Sequence, residues 1–200
     1  MKKILLLMIA CLLITGCTVV RIDTDSITNI TGVILEKDNS LYNRVGKGYK
    51  YYIPRGVSYI DTVGFNDTLY SKGIYYYLYI DAPAYINKID LNYEKENIYY
   101  SQELDINGKK GYIKIYKKDN EYLIRFVYNY ASIEAMVGEN HINEFITNAA
   151  YILSSIKYND NIIKMMLDEN YENREEQYKE FISNGTTGNF LKAPDDIVEE

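Results

Sequence analysis

The residue whose setting best specifies a chemistry is Cys17, a thiol placed directly after Ile14-Thr15-Gly16. A cysteine's surroundings decide whether its thiolate acts as nucleophile, metal ligand or neither. The other cysteine, Cys11, lies inside an apolar run. His141 is the only histidine, so a Ser-His-Asp arrangement would have to use it. The next serines after it, Ser154 and Ser155, fall on the helix that His141 begins, more than about three turns away and too far to share a hydrogen bond. Asp105-Ile106-Asn107-Gly108 opens like a calcium loop, but its twelfth position is Tyr116 where such a loop needs a bidentate Glu. Gly46-Lys47-Gly48 lacks the spacing of a phosphate-binding loop. No catalytic residue, metal ligand or cofactor site is assigned.

Tyrosine is the remaining candidate, with 23 copies and no Trp. In Ile74-Tyr-Tyr-Tyr-Leu-Tyr-Ile80 the alternation of a strand sends Tyr75, Tyr77 and Tyr79 to one face and Tyr76, Leu78 and Ile80 to the other. Aromatic rings with polar tips suit protein or sugar contacts. Strands also favour aromatics for packing alone. Burial of both faces by a second helical layer would remove Tyr75, Tyr77 and Tyr79 as a binding surface.

The N-terminus has a charged start, Lys2-Lys3, then eleven apolar residues from Ile4 to Ile14. A helix of that length covers about 17 Å, against a hydrocarbon core of about 30 Å. Charged n-region, short apolar h-region and small residues before a cut site make a signal peptide. The segment Ile14-Thr15-Gly16-Cys17 resembles the lipobox of bacterial lipoproteins. The resemblance implies cleavage between Gly16 and Cys17 and diacylglyceryl attachment to the Cys17 thiol. Two acyl chains anchor stably where one binds only marginally. It places the chain on the extracytoplasmic side of the cell membrane, held by covalent lipid, with residues 1–16 removed.

Removal of Lys2 and Lys3 leaves 20 basic against 28 acidic side chains, a formal charge of −8. Nucleic-acid binding runs on neutralising phosphates with Lys and Arg, so no nucleic-acid partner is expected. With Cys11 removed and Cys17 alkylated, the mature domain has neither a free thiol nor a disulfide.

Residues 17–47 are rich in Thr, Asp, Asn and Ser, with short apolar clusters such as Gly32-Val33-Ile34-Leu35, and read mainly as a lipid-anchored tether with room for one short element, spanning on the order of 30 Å. Residues 48–183 read as an α+β domain. Strands are expected at Tyr49–Ile53, Val57–Ile60, Ile74–Ile80 and Ile98–Leu104, with a hairpin of Gly111–Tyr116 and Glu121–Tyr130 and further strand material over Ala131–Val137. The period then changes. Ile142, Phe145, Ile146, Ala149, Ile152, Leu153 and Ile156 form one apolar stripe of a helix, with Asn140 as its N-cap. A second helix is expected over Asp160–Phe181, and residues 184–200 form an acidic tail.

The fold class is therefore α+β, a curved antiparallel sheet packed by C-terminal helices. The segments Tyr49–Arg55 (YKYYIPR) and Ala150–Tyr158 (AYILSSIKY) resemble the PsbP-like fold. That likeness implies a hairpin opened by the first segment and a closing strand over Ser155–Tyr158. The functional expectation is a non-catalytic, membrane-anchored lipoprotein that binds another envelope or secreted protein. The alternative is small-ligand or cell-wall glycan binding through the tyrosine faces. Replacing Cys17 by Ser should leave the precursor uncut and release the protein from membranes, read by detergent phase partitioning. Full retention of Cys17→Ser in the detergent phase would contradict the lipobox reading.

Overall fold

The computed structural model describes residues 26–37 and 39–167. Cys17, the cleavage site at Gly16 and the 184–200 tail lie outside the described residues. The architecture is α+β, as the pattern predicts.

Seven antiparallel strands form the main sheet: β3 (Ser58–Val63), β4 (Asn66–Ser71), β5 (Ile74–Ile80), β6 (Tyr100–Ile106), β7 (Lys109–Lys118), β8 (Glu121–Tyr128) and β9 (Ala131–Gly138). Their spatial order is β3-β4-β5-β9-β8-β7-β6. A small sheet of β1 (Arg44–Val45), β2 (Tyr49–Tyr51) and β10 (Lys157–Tyr158) sits beside it in the order β1-β2-β10. Segment Tyr49–Arg55 therefore pairs with β1 and β10 and opens no hairpin with β3. The Pro54–Gly56 turn sends the chain on into the main sheet instead.

The pairing register gathers the most deeply buried strand positions on one face. Leu69, Tyr76, Leu78, Ile133, Phe126 and Ile113 are all at most 1% exposed. The fourteen-residue helix α3 (Ile142–Ser155) lies on this inner face and buries Phe145, Ile146, Ala149, Ile152 and Leu153 against it. The predicted stripe is thus the packed one. Asn140 is not the N-cap: it sits in a 3-10 turn, Glu139–His141, and the helix begins after His141 without a side-chain cap. The strand expected through Tyr130 stops at Tyr128, because Asn129 and Tyr130 adopt φ of 52° and 62° and turn the chain into β9. Left-handed residues at both centres of a two-residue loop suit the right-handed twist of a hairpin.

Within the segment 17–47, read mainly as a tether, Ile27–Leu35 form helix α1, a short element that belongs to the folded domain. Ser26 caps it by accepting from Asn29 N, and Ile30, Ile34 and Leu35 enter the core. The helix packs on α3, and Asn107 Nδ2, from the β6–β7 turn, donates to the carbonyl of Glu36 at its C-terminal end (3.1 Å). The sheet is therefore covered by an N-terminal helix as well as a C-terminal one. Short helix α2 (Ala82–Asn87) follows β5, capped by Asp81, and helix α4 spans Asp160–Met166. The helix expected to run to Phe181 stops at Met166, where Leu167 turns extended (φ −82°, ψ 102°), and residues 168–181 lie outside the described residues.

Two glycines are dictated by space. A Cβ on Gly111 would stand 2.2 Å from the Val127 carbonyl oxygen, opposite Tyr128 in the β7–β8 register. Gly48, at φ +82°, would drive a Cβ to 2.6 Å from Ile163 of α4, whose cap residue Asn159 donates its backbone N–H to the Gly48 carbonyl (2.8 Å).

Candidate functional site

With the inner face filled, functional chemistry has to come from the outer one. Tyr75, Tyr77 and Tyr79 project there together, half-buried, while Tyr76, Leu78 and Ile80 are enclosed beneath α3. Among the described residues no second helical layer covers these three rings. Tyr75 and Tyr77 are near parallel, with centroids 6.5 Å apart, and Tyr70 from β4 meets Tyr75 edge-on at 5.1 Å. Burial, then the neighbouring Tyr75 and Asp61, raises the Tyr77 hydroxyl above its ordinary range.

The register extends this row across the sheet. Thr68, Tyr77, Glu134, Arg125, Lys114 and Ser101 stand side by side on β4, β5, β9, β8, β7 and β6. The Arg125 guanidinium donates to Glu134, both side chains at least three-quarters buried. Burial raises the Glu134 carboxyl, and Arg125 offsets part of that rise. These charges escaped notice in the sequence, although each stands at the polar position of an otherwise apolar strand: Lys114 in GYIKIY, Arg125 in YLIRFVY, Glu134 in ASIEAMV. Alternation marked them as outward; only the register made them neighbours.

Residues 88–99 form a strap over the β6–β7 side of the outer face. Asp90 meets Lys110 (3.1 Å), the Tyr93 and Ser101 hydroxyls are 2.7 Å apart, and the Tyr93 ring approaches Tyr112 (6.0 Å). Glu96 of the strap accepts from Lys114, and its second oxygen accepts from Tyr116 Oη at 3.1 Å. The Lys114 hydrogen bond holds the Glu96 carboxyl below its usual range, so this tie is intact at neutral pH. Burial, then the bond to Glu96, pushes the Tyr116 hydroxyl up to about 12. Between strap and sheet opens a cleft of about 300 Å³, floored by Tyr79, Tyr112, Val127 and Ser132 and walled by Ile89 and Leu91. Tyr79 therefore belongs both to the tyrosine row and to the cleft.

The remaining candidates have structural partners. His141 stands at the N-terminal end of α3 and pairs with Glu144 (3.6 Å), which also meets Lys72 (2.7 Å). Ser155, at the other end of that helix, donates to the Ile152 carbonyl and accepts from Tyr52 N. It fastens the chain after β2 to α3. The buried Asp67 accepts from Tyr51 Oη (2.6 Å) and Thr62, and Arg44 donates to Thr62 while stacking on Tyr59 at 3.4 Å. That network fastens the small sheet to the large one. Burial, reinforced by Asp67, raises the Tyr49 and Tyr51 hydroxyls. Among the described residues no three His, Cys, Asp or Glu side chains gather as a metal site, and no helix is long and apolar enough to cross a membrane.

No protein-family model matches the chain, and no curated protein sequence matches it. Among solved structures, it is similar to a GTP binding regulator from Thermotoga maritima at 14% identity and a TM-score of 0.26. The match covers 64% of this chain and 87% of that one. A score of that size carries no argument about fold or activity.

The Arg125–Glu134 pair gives the outer face its stability test. Breaking a buried pair leaves one charge uncompensated and costs about 3 kcal/mol, whereas replacing both partners with apolar residues is near neutral. Denaturant titration should therefore find Arg125→Met much less stable than Arg125→Met/Glu134→Met. Equal stabilities would contradict the pairing.

Proposed function

We propose that this protein is a membrane-anchored extracytoplasmic lipoprotein whose α+β domain binds another envelope or secreted protein through the outer face of its main sheet. The observation that carries the reading is the one-sided cover: helices fill one face, and Tyr70, Tyr75, Tyr77 and Tyr79 line the other. Tyrosines are enriched at interfaces because the ring buries apolar area while the hydroxyl keeps a polar partner. The lipobox resemblance at Ile14–Cys17 supplies the address.

The cleft under the strap favours a second reading, capture of a small ligand or cell-wall glycan against Tyr79 and Tyr112. Pockets for small molecules are concave, largely apolar and close to this volume. One variant set separates the readings. In-cell crosslinking followed by mass spectrometry should recover a reproducible protein partner, and Tyr75→Ala/Tyr77→Ala/Tyr79→Ala should lose it while keeping its circular dichroism. Retained crosslinks in the folded triple variant would reject the protein-binding face. Loss of cell-wall pull-down without any recovered protein would favour the glycan reading.

A further inference from the structure

Lys114 is an unusual cation. It lies on the outer face, one strand in from the β6 edge, and is 8% exposed. Its ammonium is 5.2 Å from the Tyr112 ring and 5.7 Å from the Tyr93 ring, and Arg125 is its cross-strand neighbour. Burying a charge demands a counter-charge. Arg125 has Glu134; Lys114 has a carboxylate from the strap, Glu96.

The two halves of that contact are built differently. Lys114 and Tyr116 belong to a ten-residue strand paired on both sides. Glu96 stands on a segment in which none of residues 88–99 is buried, and its own side chain is 41% exposed. Each Glu96 oxygen meets one sheet donor, Lys114 Nζ on one side and Tyr116 Oη on the other. The receptor half is rigid and enclosed, while the carboxylate half can return to water at low cost. An ion pair with one solvated partner contributes little net stability, so an incoming carboxylate meets a small barrier of exchange. The chain's net negative charge repels acidic ligands at long range, which leaves recognition to these short contacts.

We propose that Lys114 and Tyr116 form a carboxylate-binding site on the outer face, filled by Glu96 in the free protein and taken over by an acidic side chain of the protein partner. The inference rests on the reading of this face as a protein-binding surface. Glu96 acts as an internal competitor, so the apparent affinity for an external carboxylate is lowered by the fraction of molecules in which the strap has withdrawn.

Fluorescein-labelled hexaglutamate is the probe, titrated by anisotropy at low salt into the detergent-solubilised full-length protein. Glu96→Ala should tighten binding at least tenfold. Lys114→Met placed on that background should abolish the gain, and Tyr116→Phe, which keeps the ring and its packing, should reduce it several-fold. Unchanged affinity in Glu96→Ala, or a gain that survives both Lys114→Met and Tyr116→Phe, overturns the site. Crosslinks lost in the tyrosine triple variant but kept in folded Lys114→Met would overturn this site while leaving the face reading in place.

Discussion

Everything about the outer face depends on how the inner one is filled. Phe145 of α3 meets Tyr76 of β5 edge to face at 4.8 Å, and Ile146, Ala149, Ile152 and Leu153 continue the contact with no more than 1% exposure. Of these, Phe145, Ile146, Ile152 and Leu153 each contribute about 1.5–3 kcal/mol when fully buried. Helix α1 extends the cover toward β6 and β7, where Thr28 meets Tyr100 and Asn107 binds the carbonyl at the helix end. An antiparallel sheet closed on one side by helices is stable with its other side wet. The same packing that stabilises the sheet therefore fixes which side chains face solvent.

That constraint shapes the chemistry of the outer face. The side chains of Arg125, Glu134 and Lys114 are largely enclosed by their neighbours on the outer face, so each charge has a partner: Arg125 with Glu134, Lys114 with Glu96. The match differs in one respect. Glu134 is on the adjacent strand, fixed by register, whereas Glu96 arrives on the strap. The tyrosine row lies beside these pairs and shares Tyr79 with the cleft.

Much of this is legible in the amino-acid sequence. The β5 strand has the expected limits, Ile74–Ile80, and its two faces divide as the alternation requires. The stripe from Ile142 to Leu153 is the face that α3 buries. Of helix α1 only a short apolar cluster was legible, not the helix or its place in the core, because ITNITGVIL is nine residues long and carries Thr, Asn and Gly, so packing on α3 overrides weak propensity. The Asn129–Tyr130 turn lacked a glycine signal, and its position is set by the pairing of Tyr128 with Ala131. The charged row was invisible for a different reason. Residues 114, 125 and 134 are separated along the chain, and only strand register brings them into line.

The central claim is that the half-buried outer tyrosines are a contact surface on the cell. Hydroxyl-radical footprinting of the tyrosines, in the purified full chain and on intact cells, tests it most directly. In the purified protein Tyr75, Tyr77 and Tyr79 should oxidise faster than Tyr76 in the same strand, and on cells those three should become protected while the exposed Tyr42 stays reactive. Equal oxidation of Tyr75, Tyr77 and Tyr79 in the two settings would contradict the account.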